Sequence, residues 1–311
     1  MAALLRILPL LVVTAPAHAH VPAGPGAGQL HLHWSWNTDP LVLVPVVTLG
    51  VLYAAGMVRL WSRAGRGRGV PAWRALVYTV GLAALFVALV SPLDAAAEAS
   101  FALHMAQHML LVAVAAPLLV LGNFGVVALT ALPSRLRVPL GRSFASAPLR
   151  RLRRGLFALP LTTAVHGVVV WIWHAPGLYE AALADPLVHY LEHLTMVGTA
   201  VLFWWSALGA RQRGMLGYGG GVAALFLTML HTGLLGILIT LAPAPLYGSY
   251  AAAAPWTALT PLEDQQLAGI VMLIPGGLAY LLGGLALLGA WLAAAEARSP
   301  AAGPRAADWH R

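Results

Sequence analysis

Long apolar runs separated by short polar clusters recur along the whole chain, and their length decides what they form. A helix rising 1.5 Å per residue needs about 20 apolar residues to cross a hydrocarbon core of about 30 Å. Seven runs of that kind occupy residues 41–61, 73–91, 101–122, 157–173, 187–208, 219–242 and 266–293. The pattern predicts an all-α polytopic membrane protein, a bundle of seven transmembrane helices. The third run could continue toward Leu132, kinked by Pro117 and loosened at Gly122-Asn123. Neither a 20–50-residue repeat nor a soluble module interrupts the series.

The polar clusters give the orientation. Arg59, Arg63, Arg66, Arg68 and Arg74 surround the first connection, and Arg135, Arg137, Arg142, Arg150, Arg151, Arg153 and Arg154 fill the third. Arg211 and Arg213 lie in the fifth, and Arg298, Arg305 and Arg311 in the tail. The positive-inside rule makes these alternate connections cytoplasmic, with the N-terminus outside and the C-terminus cytoplasmic. Tryptophans at both predicted boundaries, such as Trp36 and Trp171 outside and Trp61 and Trp205 inside, form the expected aromatic belts. Ahead of the first run, Arg6, an apolar stretch and the small-x-small sequence Ala17-His18-Ala19 predict a signal peptide over 1–19. An exterior segment over 20–40, a membrane domain over 41–293 and a cytoplasmic tail over 294–311 complete the expected organisation in the plasma membrane.

Composition agrees and removes several chemistries. Hydrophobic residues make up 60% of the chain and charged residues 9%, where a soluble domain carries about 25% charged residues. There is no cysteine, so disulfides, thiolate ligands, iron–sulfur clusters and thiol nucleophiles are excluded. All 18 basic residues are arginine. Without lysine, a retinal Schiff base is impossible. The net charge of +8 belongs to the cytoplasmic connections, and the partner it indicates is the lipid bilayer and no nucleic acid. Asp39, Asp94, Glu98, Glu180, Asp185, Glu192, Glu263 and Asp264 fall at the exterior ends instead, where an acidic surface would attract cations.

The candidate chemistry lies in the histidines. His20, His31 and His33 precede the first span, and His174 ends the fourth on the outside. His108 is expected about 10 Å below the outer end of its span, His193 about 9 Å, His166 about 11 Å and His231 about 16 Å. Ionisable groups at such depth are costly, face the bundle interior and count as functional by default. His104 and His108 are four apart, hence on one helix face, and His189 and His193 repeat the spacing on the fifth span. Two such clamps, with His166 and His231 as a deeper continuation, are the expected metal ligands. Met105 and Met109 lie among them, and imidazole with thioether and no thiolate favours copper, as Cu(I). Glu192 and Asp264 are the carboxylates expected to support the ligands, fixing imidazole tautomers from behind. Asp264 could equally cap its own helix.

Other readings share these residues. His189-Tyr190-Leu191-Glu192-His193 fits H-x-x-E-H, a zinc-protease signature in which the glutamate activates water. Paired histidines could also ligate haem, although transmembrane electron transfer would want a second set in the inner half.

His104-Met105-Ala106-Gln107-His108-Met109-Leu110-Leu111 resembles the H-M-x-Q-H-M-L-L signature of the multi-span CtaG family of bacterial cytochrome c oxidase assembly factors. Trp173-His174-x-Pro176-x-x-Tyr179, His189-x-x-Glu192-His193, Met229-Leu230-His231-x-Gly233-Leu234-Leu235-Gly236 and Asp264-Gln265-Gln266-x-Ala268-Gly269 are similar to further family blocks and run in family order. The resemblance covers about residues 40–290. It implies a role in maturing a haem–copper oxidase, by helping copper reach it, and no enzymatic turnover. The partners expected are oxidase subunits and an exterior copper chaperone, with the site facing the periplasm. A copper transporter and a metal-free membrane chaperone are the alternatives.

Overall fold

The computed structural model describes residues 35–209, 215–252 and 259–298. The expected signal peptide, His20, His31 and His33 lie outside these residues.

Among the described residues every regular element is helical. The chain runs through α1 (Pro40–Ala64), α2 (Ala72–Leu89), the short α3 (Pro92–Ala99) and α4 (Phe101–Leu121). It continues through α5 (Phe124–Ala131), α6 (Ser134–Ala145), α7 (Ala147–Leu156) and α8 (Leu159–Trp173). Then come α9 (Pro176–Ala184), α10 (Pro186–Gly209), α11 (Met215–Thr240), α12 (Gly248–Ala252) and α13 (Pro261–Glu296). Five of these helices, α1, α2, α4, α11 and α13, are long and apolar enough to cross a membrane, or six if α7 and α8 are taken as one span bent by 51°. The protein is therefore a multi-pass helical membrane protein. The 24 residues of α10 are long enough, but His189, Glu192 and His193 lower its hydropathy. The fifteen of α8 rise about 22 Å, short of a hydrocarbon core of about 30 Å.

The third run ends at Leu121 and does not continue to Leu132. Gly122 closes α4 and Asn123 turns left-handed, with φ 60° and ψ 41°. Asparagine tolerates that conformation better than most side chains. The turn lets α5 fold back on α1, where Gly56 has room for nothing larger: a Cβ there would lie 2.1 Å from the Val127 carbonyl oxygen.

Pro117 acts one turn earlier than a kink at its own position would suggest. Residues Leu110–Ala115 form a π-helical turn, in which each carbonyl is paired five residues on. That register assigns the Val112 carbonyl to residue 117, which as proline has no N–H. The Trp204 indole Nε1–H of α10 donates to this carbonyl at 3.0 Å. A break in the α4 ladder is thus turned into an α4–α10 contact.

α4 is the central helix. It packs on α2, α3, α10 and α13, and 67% of its span is buried, against 22% for α1, α2 and α13. The outward faces of those peripheral helices carry exposed apolar residues, among them Leu41, Leu76 and Leu282. The helix that carries His104 and His108 is the one removed from lipid.

Candidate metal centre

The N-termini of α4 and α10, the C-terminus of α8 and the α11–α13 connection meet at one end of the bundle. His104 and His108 project from α4 and His189, Glu192 and His193 from α10. Ligand atoms of His104, His189, Glu192 and His193 all lie within 4.8 Å of one another. His108 stands at the edge of the group, its Nε2 3.1 Å from His104 Nε2 and 3.7 Å from Glu192 Oε1. Glu192 Oε2 is 3.9 Å from His104 Nε2. The i,i+4 clamps of the two helices therefore face one another, with the carboxylate among the imidazoles rather than behind them.

Burial is nearly complete. His104, His108 and Glu192 are at most 1% exposed, His193 is 7% exposed and His189 is partly buried. Both Glu192 oxygens, His108 Nδ1 and His193 Nε2 have no hydrogen-bond partner. Buried polar atoms are normally paired, because an unmade bond costs about 1–3 kcal/mol and more where charge is involved. An unpaired carboxylate among imidazoles is the arrangement a bound cation would satisfy.

Partners on the far side of the rings assign the tautomers. Tyr250, on α12, donates its single hydroxyl proton to the Ala97 carbonyl at 2.9 Å and stands 3.0 Å from His104 Nδ1. His104 must then donate from Nδ1, leaving Nε2 with its lone pair toward the cluster. Burial pushes the Tyr250 phenol well above its usual range, so the hydroxyl keeps its proton. His108 Nε2, 3.1 Å from that lone pair, is the donor of their contact, and its Nδ1 is bare.

Asp264 supports no histidine directly and does not cap its own helix. Thr260 caps α13 in a capping box with Glu263. Asp264 reaches across instead to the start of α4, accepting from Ser100 Oγ and the Phe101 N–H, both at 2.7 Å. A carboxylate at a helix N-terminus satisfies orphan donors and complements the dipole. Here it locks the first turn of the helix that carries His104. Asp264→Ala should lower the melting temperature of the detergent-purified protein by the equivalent of about 1–2 kcal/mol, the usual cost of a lost cap. On the other flank, Gln107 donates to the Ala88 carbonyl at 2.8 Å and to Asp94 Oδ1 at 2.7 Å. Burial pushes the Asp94 carboxyl up against the opposing effect of its hydrogen bonds from Asn37 and Gln107.

The remaining expected ligands lie elsewhere. Met105 is fully buried beside the cluster, its sulfur 3.3 Å from His174 Nε2. Met109 turns its sulfur to α13, where a Cβ on Gly276 would meet it at 2.7 Å. His166 sits two turns below His174 on α8, about 12 Å along the axis. Its Nδ1 is 3.2 Å from Thr199 Oγ1, and its ring stacks on Phe203. His231 Nδ1 accepts from Trp171 Nε1 at 3.3 Å. These two histidines form a separate interhelical patch rather than a continuation of the cluster.

Sequence reasoning left His174 and Tyr250 out of the candidate site. His174 ends α8 with its ring centroid 6.3 Å from that of His108. The signal for it was present in the Trp173-His174-x-Pro176-x-x-Tyr179 block. For Tyr250 no spacing gave a signal, since its place depends on how the α11–α13 connection folds back.

Fold and site together define a multi-pass helical membrane protein with a buried imidazole–carboxylate cluster at one end of its bundle. Residues 51–294 match the family model described as cytochrome c oxidase caa3 assembly factor, and the chain belongs to that family. It is similar to two uncharacterized proteins, one of Mycobacterium bovis and one of Mycobacterium tuberculosis, each 28% identical over 243 residues. The similarity covers 74% of this chain and 35% of each relative, so the chain spans about a third of their length. No solved structure matches it.

Proposed function

We propose that this assembly factor takes Cu(I) as cargo in the His104/His108/His189/His193/Glu192 cluster and passes it to an oxidase subunit in the same membrane. The observation that carries the proposal is the convergence of three imidazoles, with a fourth from His108 at the edge, on a buried carboxylate with no hydrogen-bond partner. Charge favours a monovalent ion. One carboxylate and neutral imidazoles cancel Cu(I), whereas a divalent ion would leave a net charge in a low-dielectric site, at a cost of several kcal/mol. Imidazole is a suitable ligand for copper, and the absence of cysteine leaves no thiolate to hold it irreversibly.

The topology that suits this role has seven crossings, with α8 and α10 added to the five long helices, and an exterior N-terminus. The arginines of the α1–α2 and α5–α8 connections then face the cytoplasm, and the cluster opens to the periplasm. An exterior copper chaperone could load it there. The role is one of binding and transfer without turnover.

A protease would hold its ion in the same imidazoles, with Glu192 as base. Glu192 is packed against His104 and His108 and is 0% exposed, which counts against a peptide reaching it.

The test is a titration of the purified full-length protein with Cu(I) against a competing chelator, followed by incubation with copper-free oxidase subunits. Saturable binding and copper transfer are expected. Absence of Cu(I) binding would leave a metal-free chaperone. Copper accumulating inside sealed proteoliposomes would replace delivery with transport.

A further inference from the structure

Beside the cluster, two acceptor atoms face each other with no hydrogen between them. The His174 ring lies 2.6 Å through Nδ1 from the carbonyl of Val170, one turn back on α8. A carbonyl oxygen only accepts, so Nδ1 carries the proton and Nε2 is bare. That bare nitrogen is 3.3 Å from the Met105 thioether, which has no hydrogen to give. Both residues are buried, at 5% and 0% exposure, so water does not intervene readily. Such a contact gains nothing from hydrogen bonding. It has the separation that ligands of one ion would show: bonds of about 2.0 Å to imidazole nitrogen and about 2.3 Å to sulfur place the two atoms about 3.5 Å apart across a tetrahedral angle.

We propose that His174 Nε2 and Met105 Sδ form a second Cu(I) position next to the imidazole–carboxylate cluster, with His108 as the ring between the two. The inference rests on the copper reading above and assigns the path within it. His108 is 5.3 Å by ring centroid from His193 in the cluster and 6.3 Å from His174. Its Nδ1 is buried and without a hydrogen-bond partner. Met105 is the neighbour in sequence of His104, so both positions hang on one turn of α4. The ligand types differ in the useful direction. The cluster offers a carboxylate that holds a cation by charge, whereas the His174/Met105 pair is neutral and includes a weak thioether ligand that is specific for the softer Cu(I) state. A neutral position binds less tightly, as the last station before transfer should.

X-ray absorption at the copper edge of the full-length protein saturated with Cu(I) tests this, with stoichiometry measured on the same samples. The wild type should show a sulfur scatterer beside its nitrogen ligands. Met105→Leu, which keeps the side-chain volume, should lose the sulfur signal and one bound Cu(I) per chain. Met109→Leu should keep both, because that sulfur faces α13. A wild-type spectrum of nitrogen and oxygen ligands alone, or a sulfur signal that survives Met105→Leu, would overturn the second position while leaving the cluster intact. A protein that binds no Cu(I) would overturn both, and the stoichiometry tells these cases apart.

Discussion

Replacing His104 and His108 together by alanine is expected to weaken Cu(I) binding by more than about a hundredfold, since losing even a supporting residue behind a metal ligand costs roughly 10- to 100-fold. Oxidase maturation should fail with it, read as oxidase activity in membranes of a strain carrying only the variant. The two substitutions remove both imidazoles of the α4 clamp but leave the Asp264 cap and the Gln107–Asp94 contact that hold the helix. The variant should therefore still purify as a folded helical protein, somewhat destabilised by the space left behind. His166→Ala with His231→Ala is the matching control. Those rings lie with Thr199, Phe203 and Trp171, so Cu(I) affinity should stay within a few-fold of the wild type. Normal oxidase activity in the His104/His108 variant would separate the cluster from the family's role. Equal loss of copper in the control would restore the deeper histidines to the site.

Most of this arrangement could be read along the chain, and the failures have physical causes. Apolar run length located the helices because lipid leaves the backbone no other way to satisfy its polar groups. The i,i+4 spacing placed His104 with His108 and His189 with His193 on single faces, since that follows from helix periodicity alone. Pairing the two faces required the packing of α4 on α10, which hydropathy does not encode. Depth was a poor guide for the same reason. His166 has an expected depth close to those of His108 and His193, and His231 lies only a few ångströms deeper, but the faces of α8 and α11 turn them toward Thr199 and Trp171. Glu192 moved from a supporting place to the centre because it lies one residue before His193, about 100° round the helix, and only the closeness of α4 brings its carboxylate among the rings. The reach of Asp264 to α4, and of Tyr250 to His104, joins elements more than 140 residues apart. No local pattern carries such contacts.

The other large effect should come from Glu192→Gln, and its two parts differ. Glutamine keeps the shape and removes the charge. In the empty protein this relieves a buried carboxylate that has no hydrogen-bond partner, so the melting temperature should equal or exceed that of the wild type. With Cu(I) the balance reverses. Unit charges about 4 Å apart attract by about 4 kcal/mol at an effective dielectric near 20, and even half of that is about a 30-fold change in binding. Cu(I) affinity should therefore fall by at least that factor while the apo protein loses nothing. A purely structural role for Glu192 predicts the opposite pairing, a less stable apo protein with affinity little changed. A protease role predicts a third pattern, with metal retained and hydrolysis lost. Melting curves with and without Cu(I), recorded on one preparation of each protein, separate the first two, and a peptide-hydrolysis assay on the same preparations identifies the third. If affinity holds, the imidazoles alone bind the ion, and the case for a monovalent cargo based on charge falls with it.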